Sequence, residues 1–402
     1  MNRIHRVRDA WFPRVLLVGP MPVSPVTGGV EKGIDMLLRT DLAKRTEMRL
    51  FNNYRRPDPR RRLHSRLGYQ LGMIRSFRSE LNRRPVDLVH VKTSSGINFY
   101  QNSLYALAAR LSGLPVLLQI HGGKFKVFYQ ESNFLLQAWI RHALSSVDKV
   151  AVLSHHLADR LQAIAPRVRT VVIPNGLEAS EIGSLSETEE RGPGRMLFMG
   201  AGEQGLNLEK GLGDLLEVLP RMLQRYPTST WILAGLHDPK SIRDYLEGSL
   251  EPGTQIEERV RFLPVVAGQE RLALFRESSI LVLPSHFENM PNLLLEAMAA
   301  GMGVVASDVG AIPEMLNAPA GGILFEARDR SGLENAIERL LSFPSLVGEQ
   351  GRRNRTTLTR EYALSVVERK LEKTYRDIVS EWKTHHPNPP RASVRSEGEA
   401  LP

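Results

Sequence analysis

The sequence predicts two successive α/β halves, each a parallel sheet covered by helices on both faces. Three observations carry this expectation. Short apolar runs that end in Gly, Pro or Asn alternate with longer helical stretches along most of the 402 residues. The alternation stops once, at Glu178 to Gly194, where acidic, Ser- and Gly-rich sequence short of large apolar side chains reads as a linker. It then restarts with the same rhythm, as a second sheet built like the first requires.

The first half opens with Arg14-Val-Leu-Leu-Val-Gly19, whose unbroken apolar run suits a strand buried on both faces. A Pro/Gly-rich loop, Pro20 to Gly29, leads to a helix expected from about Val30 to Ala43. Further strands are expected at Met48–Phe51, Leu88–Val91, Val116–Ile120, Val150–Leu153 and Val171–Ile173. Helices are expected at Phe99–Leu111, Phe134–Ser145 and Ser154–Ile164. In the second half the strands fall at Met196–Met199, Thr230–Ala234, Val260–Phe262, Ile280–Pro284 and Val304–Ser307. Its helices fall at Gly213–Arg225, Gln269–Glu277, Asn292–Ala300 and Ser331–Leu341. A long helix from Ala363 to Trp382 follows, and the Pro-, Ser- and charge-rich tail from His385 to Pro402 reads as disordered. The organisation is thus a Rossmann-like domain over 1–177, a linker over 178–194, a second Rossmann-like domain over 195–362, a helix over 363–384 crossing back to the first, and the tail 385–402. Two such domains are expected to face each other across a cleft lined by the carboxyl ends of their strands, where open α/β sheets bind ligands.

Bulk properties narrow the class. With 42% hydrophobic residues the chain can fill two cores. It has no cysteine, which excludes disulfides and thiolate chemistry and fits a reducing cytosol. The basic stretch Met1 to Arg14 lacks the apolar core of a signal peptide, and no apolar run reaches the roughly 18 residues that span a bilayer. A cytoplasmic protein is expected, soluble or peripheral on the inner face of the cell membrane. The net charge of +9 is concentrated: Tyr54 to Pro85 holds ten Arg against Asp58 and Glu80. Within that stretch Leu63, Leu67, Leu71, Ile74, Phe77 and Leu81 recur every three or four residues, a basic amphipathic helix. Leu63–Leu81 is read either as a dock for an anionic membrane or as a domain helix whose apolar face packs on the core. Nucleic-acid binding is not expected, because aromatics are few and no reader motif is present.

The densest chemical signal is His286-Phe-Glu288-Asn-Met-Pro-Asn-Leu-Leu-Leu-Glu296, directly after a strand. A helix starting near Asn292 aims its first N–H groups at the strand end, a ready anion site. Glu288 in the loop and Glu296 one turn inside the helix could grip hydroxyls of one ligand. The same two residues could equally be a dipole-favoured acid and a solvated surface Glu. Lys210-Gly211, before the helix Gly213–Arg225 and after the strand ending at Gly200, places a cation where it can neutralise a diphosphate. In the first half, Gly28-Gly29 precedes a helix and permits close backbone approach to a ligand, although the spacing does not match the dinucleotide-binding G-x-G-x-x-G. His121-Gly-Gly-Lys124-Phe follows a buried strand at its carboxyl edge, with Tyr129 nearby. No D-x-D motif or metal-ligand cluster is visible, so no metal is expected.

The stretch from Ile280 to Glu314 resembles the Glu-x7-Glu signature region of the retaining glycosyltransferases of family 4, which have the GT-B fold. The resemblance extends over about residues 14 to 380. It implies that Glu288 binds donor-sugar hydroxyls, that Glu296 holds the nucleotide ribose, and that the backbone of Asn289, Met290, Pro291 and Asn292 holds the sugar. It implies that Lys210 and Gly200 attend the donor diphosphate, that Gly28 and Gly29 face it, and that His121 contacts the donor sugar. Lys124 and Tyr129 would frame the acceptor. Asn175, in Pro174-Asn175-Gly176, reads first as a turn residue and second as a ligand contact. One departure stands out: Ala201 occupies the place where the family carries Arg. The activity implied is retaining, metal-independent hexosyl transfer without a cofactor. A nucleotide-diphosphate sugar would be the co-substrate and a glycan or lipid-linked molecule the acceptor, in bacterial cell-surface polysaccharide assembly. A GT-B-like sugar-nucleotide epimerase and a degenerate, non-catalytic sugar or lipid binder are the competing readings.

Overall fold

The computed structural model describes residues 11–22, 29–53, 63–186, 192, 194–200, 208–250 and 256–387, without the side chains of 63–67 and 208. Gly28, Ala201, the part of the basic run before Leu63 and the tail from Asn388 lie outside these residues. The chain divides into two units. One holds the described residues up to Leu153, Ala158–Ile173 and those from Glu368 on; the other holds Ser154–Leu157 and Pro174–Val367.

The first unit is built on a parallel sheet of β1 (Val15–Gly19), β2 (Arg49–Asn52), β3 (Leu88–Thr93), β4 (Val116–Ile120), β5 (Lys149–Val152) and β6 (Thr170–Val172), in the order β2-β1-β3-β4-β5-β6. The chain leaves β1 toward one side and returns to β3 on the other, so the strand order switches between them. In such sheets the crevice at the switch is the binding place. Lys92 of β3 pairs in register with Gln119 of β4. The helices are α1 (Gly29–Leu38), α2 (Asp41–Arg45), α3 (Leu63–Arg83), α4 (Ile97–Leu111), α5 (Phe125–Glu131), α6 (Phe134–Ser146) and α7 (His155–Ile164).

The second unit repeats the plan. Strands β7 (Arg195–Met199), β8 (Thr230–Ala234), β9 (Val260–Phe262), β10 (Ile280–Leu283), β11 (Gly303–Ser307) and β12 (Ile323–Phe325) lie parallel in the order β12-β11-β10-β7-β8-β9. Here the switch falls between β7 and β10. The helices are α8 (Ala179–Ser186), α9 (Leu212–Arg225), α10 (Pro239–Glu247), α11 (Gly268–Glu277), α12 (Asn292–Ala300), α13 (Ile312–Met315), α14 (Arg330–Ser342) and α15 (Pro344–Thr357), followed by α16 (Leu364–His385). Phe198, Leu219, Trp231, Val282 and Ile337 sit in one continuous buried cluster. Strands apolar on both sides, as read from the sequence, are what bury this cluster between helices.

Several expectations change. The helix expected over Val30–Ala43 is two, because Thr40 interrupts it: its Oγ1 donates to Leu37 O at 2.7 Å and accepts from Ala43 N at 3.2 Å, capping α2. The stretch read as a linker contains α8, which buries Leu185. Helices α5, α10 and α15 and strand β12 were not expected. The basic segment does form a helix, α3, but its stripe is a core face at its C-terminal end. Phe77 and Leu81 are buried, and Phe77 meets Phe51 and Tyr105 edge-on at 5.2 and 5.3 Å. Among the described residues no helix is long and apolar enough to cross a membrane.

Candidate active site

In the second unit the carboxyl end of β10 runs into Pro284 to Pro291 and then α12. This loop is fixed by backbone contacts on both flanks. On one side His286 N donates to Glu209 O at 2.7 Å. Gly211 there has φ +75°, and a Cβ on it would lie 1.9 Å from Pro284 O, so only glycine fits. On the other side Ala311 N donates to Asn289 O at 2.8 Å, and a Cβ on Gly310 would lie 2.3 Å from Glu288 O.

That frame brings together the predicted cation and the first predicted acid. Lys210 Nζ lies 2.5 Å from Glu288 Oε1, which also accepts from Ser285 Oγ at 2.9 Å. The Glu288 side chain is nearly buried while Lys210 keeps some exposure, so the pair is far better shielded from water than a surface ion pair. The start of α12 follows at once. Pro291 precedes it and no side chain caps it, so its first N–H groups have no side-chain acceptor. Asn175 holds this turn: its Nδ2 donates to Met290 O at 3.3 Å and to Asn292 Oδ1 at 3.0 Å. The sequence reading of Asn175 as a turn residue understated it, since it pins the loop between the two acids.

Glu296 is not a solvated helix residue. It is buried and ion-paired with Arg271 of α11. Arg271 was missed because a lone Arg on a mixed helix gives no sequence signal. A second missed pair is His286 Nε2 with Asp214 Oδ2 at 2.6 Å, which ties the loop to α9; Arg330 Nε meets the other oxygen of Asp214 at 3.2 Å. Gly200 ends β7, close to the end of β8, with a Cβ-to-Gly235 O approach of 3.3 Å. Beside it a cavity of about 490 Å³ opens toward α9 and α10, lined by Leu212, Ile242, Tyr245 and Arg330 among others. Lys210, Glu288 and Glu296 do not line it, so it is distinct from the charged cluster.

In the first unit the carboxyl edge at the switch point holds His121, Lys92 and the glycines of α1. His121 N donates to Thr93 O at 2.9 Å. Burial, and then the nearby Lys92 charge, hold its imidazole well below the usual histidine range, so it is neutral at physiological pH. Lys92 is buried in β3. Its Nζ donates to Gly33 O at 3.0 Å, and burial pushes its pKa down to about 7. A Cβ on Gly33 would lie 3.4 Å from Lys92 Nζ and 3.6 Å from His121 Cε1, so the three meet. Lys92 was missed, although Leu-Val-His-Val-Lys-Thr carries two polar side chains at alternate positions of a buried strand, a legible oddity. Gly29 is the first residue of α1. Lys124 is exposed at the start of α5. Tyr129 lies near the other end of that helix, its hydroxyl accepting from Arg141 Nη1 at 2.5 Å. Among the described residues no group of three or more His, Asp or Glu could hold a metal ion.

Comparison with known proteins agrees with the fold of both halves. Residues 28–181 match a family model described as Glycosyltransferase Family 4, and residues 194–342 match one described as Glycosyl transferases group 1. A Mycobacterium tuberculosis glycogen synthase is 30% identical over 191 residues, 48% of this chain and 44% of that protein. The GDP-mannose:cellobiosyl-diphosphopolyprenol alpha-mannosyltransferase of Xanthomonas campestris is 28% identical over 61% of this chain and 62% of its own length. The matched part thus spans less than two thirds of either relative. Among solved structures, sucrose-phosphate synthase from Thermosynechococcus elongatus superposes with a TM-score of 0.69 at 18% identity, covering 92% of this chain and 100% of that one. The Anabaena protein HepE, solved with UDP, gives 0.65 at 16% identity over 90% and 100%. At these identities the likeness is one of fold.

Proposed function

The chain belongs to family 4 of the GT-B glycosyltransferases, and from that premise we propose that it moves a sugar, with retained anomeric configuration, from a nucleotide-diphosphate sugar to a glycan or lipid-linked acceptor in bacterial cell-surface polysaccharide assembly. The observation that carries the reading is the gathering of Lys210, Glu288 and the uncapped start of α12 at one sheet edge. A cation and free N–H groups suit a diphosphate, and a carboxylate beside them suits sugar hydroxyls. The X. campestris relative is named for a GDP-mannose donor and a diphosphopolyprenol-linked acceptor, which supports the substrate classes without choosing the base or sugar.

In this reading Lys210 and the α12 start offset the charge that grows on the leaving diphosphate, with Gly200 allowing close backbone approach. Glu288, His121 and the Asn289–Asn292 backbone orient the sugar. Arg271 sets the Glu296 carboxylate for the ribose. Lys124 and Tyr129 stand on the acceptor side. The bond from the anomeric carbon to the diphosphate oxygen breaks, and the acceptor oxygen bonds to that carbon on the same face. The departing phosphate oxygen, the base nearest on that face, takes the acceptor proton. Catalysis is then positioning and electrostatics, and no resident metal is required.

The test is a panel of sugar nucleotides incubated with and without glycan and polyprenyl-diphosphate acceptors. Transfer is expected with one donor class. Glu288→Gln and Lys210→Met should each lower kcat/KM by about tenfold or more, the scale of one lost charge-assisted bond. Undiminished transfer by Glu288→Gln refutes the site. Isomerised donor without transfer favours the epimerase reading, and donor binding without any turnover favours a non-catalytic binder.

A further inference from the structure

Helix α4 of the first unit packs against both α3 and α6, and this layer carries a set of exposed large apolar side chains. Ile97, Leu104 and Leu111 recur every seven residues along α4, two turns apart, so they line one stripe. Ile97 is 74% exposed and Leu111 69%. At the start of α6 Phe134 is 76% and Leu135 66% exposed, with Leu136 beside them; Val127 of α5 and Leu71 of α3 are exposed too. Eight of the fourteen exposed large apolar side chains in the described chain therefore fall between Leu71 and Leu136. Scattered singly they would need no explanation, but gathered on one layer they mark an interaction surface.

The surface is rigid underneath. Tyr100 Oη and Ser132 Oγ are hydrogen-bonded at 3.0 Å, Trp139 Nε1 donates to Ser103 Oγ at 2.9 Å, and buried Phe99 and Phe125 meet edge-on at 5.2 Å. Its charge is one-sided. Residues 63–146 contain ten Lys and Arg against three Asp and Glu. Arg75, Arg78, Lys124, Lys126 and Arg141 are exposed among the apolar groups. A second copy of the chain would bring the same positive charge against itself. An anionic lipid surface accepts both the apolar side chains and the cations around them.

We propose that this face docks the chain on an anionic bilayer, with Phe134, Leu135 and Ile97 entering the interface and Lys124, Lys126 and Arg141 meeting headgroups. The contact extends beyond the Leu63–Leu81 segment that the sequence suggested. Of the α3 stripe Phe77 and Leu81 are buried in the core and Leu71 is exposed, while α4 and the α5–α6 turn supply most of the exposed apolar surface. The first turns of α4 and α5 follow the carboxyl ends of β3 and β4, so docking sets the His121 edge close to lipid-borne acceptors. This clause rests on the transfer reading; the docking itself does not.

The experiment is co-sedimentation of the full chain with phosphatidylcholine vesicles, with and without phosphatidylglycerol, in the absence of donor and acceptor. The chain is expected to pellet with phosphatidylglycerol vesicles and to remain largely in solution with phosphatidylcholine alone. The double variant Phe134→Ser/Leu135→Ser should lower partitioning by about tenfold or more. Ile97→Ser/Leu104→Ser should do the same from the neighbouring helix. Both replace exposed groups, so the thermal midpoint should hold. Equal pelleting of both variants with the wild type, or binding indifferent to anionic lipid, overturns the proposal. So does a wild type that stays in solution, whether as a monomer, as a dimer in sedimentation, or bound instead to an acidic protein. Because no transfer is measured, failure here leaves the proposed reaction untouched, and loss of transfer leaves docking untouched.

Discussion

Replacing Lys92 by methionine is expected to stabilise the first unit, and to do so in a pH-dependent way. The ammonium is buried in β3 with one hydrogen bond, to Gly33 O, and no carboxylate partner among the described residues. Burial takes its pKa from 10.5 to about 7. At roughly 1.4 kcal/mol per pH unit, that displacement corresponds to a cost of about 5 kcal/mol for burying the charge. Methionine fills a similar volume and gives up the bond to Gly33, about 1 kcal/mol. The net gain is on the order of 3 to 4 kcal/mol. Its sign follows from linkage. Between pH of about 7 and 10.5 the unfolded chain holds the proton that the folded chain has lost, so the wild type gains stability as pH rises through that window. Below about pH 7 both states are charged and the cost is full. The variant's advantage should therefore be largest at and below pH 7 and nearly gone at 10.5. Urea unfolding of the whole chain, wild type against Lys92→Met, at pH values on either side of the window measures the difference. An advantage that does not change with pH, or a variant less stable below pH 7, refutes the argument. A costly buried cation at a sheet switch point is the pattern of a functional site rather than of a core. The variant should accordingly lose activity while gaining stability.

Two further outcomes follow from the second unit. Gly211→Ala should lower the thermal midpoint and transfer together, since φ of +75° alone costs about 1–2 kcal/mol and the Cβ would meet Pro284 O at 1.9 Å; unchanged activity in a folded variant would detach Gly211 from the site. Arg271→Ala should destabilise by about 3–5 kcal/mol in denaturant unfolding because it strands the buried Glu296. Arg271→Met/Glu296→Gln should recover most of that stability without recovering donor binding, and recovery of both would remove Glu296 from the ribose.

The strands were legible because a parallel sheet writes itself as short apolar runs: Val116–Ile120, Thr230–Ala234 and Val260–Phe262 lie where the sequence put them. Among the elements that escaped, two have little buried surface. Helix α8 buries one residue, Leu185, and α15 buries only Gln350, Gly351 and Asn354, so neither carries an apolar period. The break at Thr40 is side-chain capping chemistry inside an unbroken amphipathic pattern. At the site, Glu288 and Asn292 could be read because they flank one strand–helix junction, and Lys210 because it stands at another, between β7 and α9. Arg271 and Asp214 could not, because each meets its partner across a sequence separation that only the fold closes; Lys92 was legible only as a polar residue in a buried strand, and its contact with Gly33 O was not. The α3 stripe shows the reverse case: its period was read correctly, but period alone does not say which surface it meets.

The loop bearing Glu288 is located by main-chain contacts at Gly211, Glu209, Gly310 and Ala311, with Asn175 as the side-chain tie. A loop fixed mainly by backbone atoms keeps its course through most side-chain substitutions around it, so the place of the Glu288 carboxylate is insulated from drift elsewhere in the second unit.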